Sequence, residues 1–219
     1  RFEVLTAEFL HSAFENIAHL RPGKWHYSTL QTDIASFDQY QHLAYLAQAI
    51  TKDHDLASAF GGDYIVKPDI VIGKWPVLDD EINRFSEVIE PDGSIAKLTS
   101  LRQANREKPV MSLHASISCK WTIRSDRSQN TRTEALNLIR NRKGHLPHIA
   151  AVTAEPLPTR IATLALGTGD LDCVYHFALN ELIGAIEECG NIDQMDILQI
   201  IVEGRRLRDI SDLPFDLAI

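Results

Sequence analysis

Between Met111 and Trp121 the chain alternates without a break. Met111, Leu113, Ala115, Ile117, Cys119 and Trp121 are apolar, and Ser112, His114, Ser116, Ser118 and Lys120 between them are polar. Successive side chains of an extended backbone point to opposite faces, so a sustained period of two predicts a β-strand. The odd positions are expected to face a core, which puts Ser118 and Lys120 side by side on the opposite, more polar face. A sheet is therefore required, and the remaining segments must be arranged around it.

Those segments read as a mixture of helices and strands. Phe2, Leu5, Phe9, Ala13, Ile17 and Leu20 recur at helical spacing before the stop Arg21-Pro22-Gly23, with Glu3 near the start. A second helix is predicted from about Phe37 to Phe60, followed by the Gly61-Gly62 break and an extended Tyr64-Ile65-Val66. Pro68 marks a strand edge or bulge because it lacks a ladder donor, so Asp69 falls on a bent strand that continues through Ile70-Val71-Ile72. Residues 73 to 110 are polar and proline-interrupted, an excursion with one short helix. After Lys120 come a turn at Ser125 to Gln129, a helix over Thr131 to Lys143 with Gly144 as its cap, and strands over His148 to Thr153 and Ile161 to Leu166. A helix over Leu171 to Glu188 follows the Gly167-Thr168-Gly169 turn. The alternation predicts an α/β fold with a mixed central sheet flanked by helices. The 219 residues, 44% of them hydrophobic, suffice for one core, so a single domain over 1–219 is expected.

Composition removes several functions. The net charge of -8 argues against a protein that coats nucleic acid indiscriminately. Cys119, Cys173 and Cys189 are odd in number and far apart, which fits a reducing bacterial cytosol better than a disulfide framework or zinc site. No apolar run approaches the ~20 residues a bilayer requires, so no membrane association is expected. The chain opens at Arg1 already inside a helical pattern, and an earlier segment is expected to be missing.

Hydrolysing a phosphodiester takes carboxylates to hold a divalent cation and a cation to stabilise the attacking hydroxide. Asp69, Glu134 and Lys120 are of those types. Pro68-Asp69 on a bent strand, with Lys120 at the end of the alternating strand, outlines the PD-(D/E)xK nuclease motif. Ser118 stands where that motif has its strand acid, so the second carboxylate must come from elsewhere, and Glu134 lies on the next helix. Taken singly, each has a plainer reading: Asp69 a turn residue, Lys120 a solvent-facing strand residue, Glu134 a helix N-terminal acid, Glu3 a surface charge. Arg124, Asp126 and Arg127 taken alone read as a surface salt-bridge cluster. The Ala165 to Asp170 stretch lacks a Walker lysine, and His145 and His148 read as loop and strand-start residues. Lys120, Arg124, Arg127, Arg132, Arg140, Arg142 and Lys143 make a basic strip opposed by only Asp126 and Glu134, on an otherwise acidic chain.

The stretch His114 to Arg127, the segment Asn137 to Gly144 and Ile210-Ser211-Asp212-Leu213-Pro214 make the chain similar to the type II restriction endonucleases that cut around a central CCGG core. The similarity runs over nearly the whole chain and implies a restriction-endonuclease-like fold. It also implies catalysis by Asp69, Lys120 and Glu134, with Glu3 as a supporting acid and Ser118 in place of the strand acid, and Mg2+ held by Asp69, the Cys119 carbonyl and Glu134. Arg124, Asp126 and Arg127 would read the central base pairs and Arg160 the outer pair of a GCCGGC site. A guanidinium pairs with guanine O6 and N7, and a carboxylate with cytosine N4, which suits such a site. A palindrome demands a homodimer, and the resemblance implies a homotetramer of two such dimers with a cognate DNA methyltransferase in the same system. Two alternatives stay open: a nuclease of this motif serving repair or recombination without sequence specificity, and a non-catalytic DNA-binding module.

Overall fold

The computed structural model describes the chain except residues 31, 54, 56–57, 59–65, 91–94, 103–106 and 168, and of Ser125, Asp126 and Arg127 it describes the backbone alone. Among the described residues six strands form one sheet in chain order: β1 (Trp25–Ser28), β2 (Ile70–Lys74), β3 (Ser112–Lys120), β4 (His148–Thr153), β5 (Cys173–His176) and β6 (Leu207–Asp209). The first three run antiparallel to one another, and β3 to β6 run parallel. The helices are α1 (Phe2–Asn16), α2 (Gln41–Lys52), α3 (Asp79–Ile82), α4 (Ser125–Asn141), α5 (Pro158–Ala165), α6 (Leu179–Cys189), α7 (Ile192–Glu203) and α8 (Leu213–Asp216). The predicted α/β architecture with a mixed sheet is the one observed.

Both faces of the sheet are covered. On one side Leu10 and Phe14 of α1 and Leu213 and Leu217 at α8 pack on Ile70, Ile72, Ala115, Ile117, Cys119, Ala150, Val152 and Tyr175. On the other, Leu43 of α2, Leu138 of α4, Ile161 of α5, Leu182 of α6 and Ile201 of α7 pack on Val71, Leu113, Ile149, Ala151 and Val174. The even-numbered face of β3 is thus not a solvent face, and Ser116 and Ser118 are buried beneath the second layer. The alternation also changes parity. Ile72 pairs with Ala115 but Gly73 with Leu113, so His114 is an extra residue, a β-bulge, and Leu113 packs in the opposite layer from Ala115.

Three expected elements differ. Ile161 to Leu166 is not a strand: it belongs to α5, with Pro158 in the first turn, where its missing N–H costs nothing, and Ile161, Leu164 and Ala165 buried at helical spacing. Leu171 to Glu188 is not one helix, because Cys173-Val174-Tyr175-His176 is β5, buried on both faces and so without period. Its second half is α6, ended by Gly190 at φ 63. The segment read as a turn at Ser125 to Gln129 is already helix, since the Ser128 amide bonds the Arg124 carbonyl at 2.9 Å. Ser and Asp, favoured in turns, are equally favoured in a helix's opening turn. The second predicted helix appears as a 3-10 turn, Asp38–Tyr40, leading into α2, and the extended segment expected at Tyr64 and Ile65 lies outside the described residues. Among the described residues of 73–110 there is one short helix, α3. Strands β1 and β6 and helix α7 carry no reading from the sequence pattern. Among the described residues no helix is long and apolar enough to cross a membrane.

Candidate active site

Antiparallel pairing of Ile70 with Ile117 brings the start of β2 beside the end of β3, and Asp69 arrives next to Ser118, Cys119 and Lys120. Its Oδ2 accepts from the Cys119 amide at 2.7 Å, from Lys120 Nζ at 2.8 Å and from Ser118 Oγ at 3.4 Å. The N–H and C=O of one strand residue point to the same edge, so the Cys119 carbonyl faces the side on which Asp69 lies. The Lys120 carbonyl points the other way and accepts from Thr153 Oγ1 on β4 at 2.8 Å. The Asp69 and Lys120 side chains keep 25% and 20% of their exposure, enough for a reactant to reach them.

Glu134 joins this pair from α4, the helix that also meets Ser118 through Thr131, with the two hydroxyls 3.5 Å apart. Burial pushes the Glu134 carboxyl above the usual carboxylate range; Lys120's charge pulls it down and Asp69's charge pushes it up. The three side chains therefore act on one another electrostatically, although fifty-one positions separate Asp69 from Lys120. Glu3 does not join them in the same layer. It lies exposed in the first turn of α1, across the sheet, where it acts on the Cys119 thiol. Burial, with Asp69's charge adding, pushes that thiol up to about 12, so Cys119 packs as an inert apolar group and only its carbonyl is available.

Of the expected base readers, Arg124 is exposed at the N-terminal boundary of α4, and Asp126 and Arg127 sit in its first turn, their side chains outside the described residues. Arg160 lies one turn into α5, 53% exposed, with a guanidinium nitrogen 3.7 Å from Glu155 Oε2. The basic strip is partly absorbed by the fold. Arg132 donates to the Thr163 carbonyl at 2.7 Å and faces Asp170 at 3.6 Å, which leaves Gly167 no room for a Cβ, and Arg142 donates to the Ile139 carbonyl. The sequence pattern did not single out Thr153, the polar residue that closes the apolar strand β4, or the buried Glu155 two residues beyond it.

A mixed sheet with an acid and a lysine in contact at the carboxyl end of its central strand, and a second acid on the following helix, places the molecule in the restriction-endonuclease-like class. The family model of the NgoMIV restriction enzyme matches residues 1–219. The type II restriction enzyme NgoMIV of Neisseria gonorrhoeae is 51% identical over 222 residues, an alignment covering 100% of this chain and 76% of that protein. The chain belongs to the NgoMIV restriction enzyme family, and with it to the type II restriction endonucleases that act on DNA. A solved complex of the restriction endonuclease PspGI with substrate DNA is 21% identical and covers 47% of this chain and 38% of its own, with a TM-score of 0.31.

Proposed function

We propose that this enzyme hydrolyses double-stranded DNA at a GC-rich palindrome with a CCGG core, GCCGGC in full, using Mg2+ and leaving 5′-phosphate ends. The observation that carries the reading is the 2.8 Å contact of Lys120 with Asp69 beside the half-buried Glu134.

The donor set suits magnesium. Among the described residues no three His, Cys, Asp or Glu side chains gather into a protein-only cage. Mg2+ does not need one, since it keeps several waters and binds through one or two carboxylates plus substrate phosphate. Asp69 and the Cys119 carbonyl, on one edge of β3, would hold it. Glu134, whose ionisation burial opposes and the Asp69 charge opposes further, would be relieved by a cation and would hold a second ion or its waters, with Glu3 as a more distant supporting acid. A bound magnesium supplies an acidified water and neutralises charge developing on the leaving 3′ oxygen.

The chain's own residues do the rest. Lys120, aimed along the Asp69 edge, stabilises the hydroxide and the negative phosphorane-like transition state. Ser118, unable to carry the charge of a strand acid, donates to Asp69 instead and keeps that carboxylate oriented. No covalent enzyme intermediate is required. Arg124, Asp126 and Arg127, at the start of α4, would read the central base pairs, and Arg160, on α5, the outer pair. A two-fold homodimer matches the palindrome, two dimers form a homotetramer, and a cognate methyltransferase protects the host DNA in the bacterial cytosol.

Sequencing the ends of magnesium-dependent products tests the reading: discrete plasmid fragments should all end at one CCGG-centred site, and Asp69→Asn should bind that site without cutting it. A smear of fragments would point to a repair-type nuclease, and retarded DNA without product to a binding module.

A further inference from the structure

Glu155 is completely buried at the end of β4, two residues past Thr153. A carboxylate in such a position is costly unless charge and hydrogen bonds surround it, so its partners identify what it is there to hold. Oε2 accepts the Ile123 amide at 2.8 Å, Oε1 accepts the Leu157 amide at 3.2 Å, and the Arg160 guanidinium stands 3.7 Å from Oε2. Ile123 immediately precedes Arg124, whose carbonyl opens α4, and its own side chain is locked in the core. Leu157 is the residue from which α5 starts. One carboxylate thus ties together the residues just ahead of the two helices at whose starts every candidate base reader lies.

The backbone of Glu155 is fixed in turn. Its amide donates to Thr153 Oγ1 at 3.1 Å, and its carbonyl accepts from His176 Nε2 at 3.2 Å. The Thr153 hydroxyl that receives this amide is the one that donates to the Lys120 carbonyl. The chain of contacts runs from Lys120 through Thr153 to Glu155 and then divides toward α4 and α5.

We infer that Glu155 is a specificity-determining positioning residue: it sets the registration of the α4 and α5 starts relative to each other, so that central and outer base pairs are read as one unit. This rests on the reading of Arg124, Asp126, Arg127 and Arg160 as base contacts. A residue that merely held the fold would, when altered, lower cleavage of all sequences alike. A positioning residue changes the ratio between sequences.

The test measures kcat/KM on the cognate palindrome, on one palindrome altered at the outer pair and on one altered in the central pairs, with a thermal melt beside each variant. Glu155→Gln keeps the volume and loses the charge, and is expected to reduce discrimination against both altered sites by about 10-fold, the scale of one displaced base contact. Glu155→Asp, which keeps the charge but is too short to reach both amides, gives the same joint loss at smaller size and serves if the Gln variant does not fold. Unchanged ratios, a loss confined to the outer pair, or an equal drop on all three sites would overturn the inference. Arg160→Ala is the control for the underlying reading: if it leaves outer-pair discrimination intact, Arg160 is not the outer reader, whatever Glu155 does.

Discussion

At the amino end of β3 the His114 ring is wedged against Trp25 and His148, with centroids 4.7 and 5.0 Å away, and its Nε2 donates to the Leu217 carbonyl at 2.8 Å. At the other end of the same strand Ser118 and Lys120 converge on Asp69. Both ends bury polar groups, and they differ in what is left over. Burial drives the His114 imidazole down to about 3, so the ring is neutral at any working pH and its hydrogen bond completes a packed cluster. At the carboxyl end the Lys120–Asp69 ion pair remains reachable from solvent, and beside it burial holds the Glu134 carboxyl above the usual carboxylate range. A polar group that the fold neutralises is structure; one kept charged, partly open and in mutual tension is available for chemistry.

The comparison breaks most visibly if the two ends exchange behaviour on mutation. Lys120→Ala should lower kcat by about 10²- to 10³-fold, the usual loss for one preorganised charge stabiliser, with the melting temperature barely moved. His114→Ala should do the reverse, costing about 2–4 kcal/mol of stability through the cavity and the orphaned Leu217 carbonyl, with the turnover of the folded protein unchanged. Chemical denaturation paired with single-turnover cleavage separates the two.

Acid sharpens the contrast. The folded-state imidazole of His114 lies below its unfolded value, so the stability it contributes is full above the ordinary histidine range and is lost as pH falls toward about 3. His148 and His176, also lowered chiefly by burial, act in the same direction. Unfolding midpoints measured from pH 7 to pH 4 should fall, and fall less steeply in His114→Gln.

The smallest effect has the opposite sign. Glu134 is raised in the folded state, so the fold loses stability as pH rises from the ordinary glutamate range through the raised value, and the deficit persists above it. Glu134→Gln should melt slightly higher than the parent in chelator at neutral pH, and the gap should close near pH 4. A variant that melts lower at neutral pH would mean that burial of the Glu134 carboxylate does not cost the fold stability.

Much of this was legible in the residues themselves. β3 announced itself through period two, and β2 through Ile70-Val71-Ile72. The Pro68-Asp69, Ser118, Lys120 and Glu134 spacing pointed to one site, and the long His114 to Arg127 stretch to the family. Where reading failed, local signals were ambiguous. Ile161 to Leu166 is as apolar as a strand, and only the neighbouring sheet and α7 decide that its burial is one-sided and helical. Cys173 to His176 shows no period because both faces are covered. Glu3 and Asp69 read equally as acids, yet the sheet separates their layers.

The amino-acid order by itself determined which groups exist and which segments can be extended, because side-chain alternation and short-range punctuation are properties of neighbours along the chain. The tertiary structure alone decided which acid faces which base, that a bulge at His114 reverses the parity of β3, and that Glu155 meets Ile123, Leu157 and Arg160. Those relations depend on strand order and register, and on the pairing free energy of residues that lie far apart in the chain.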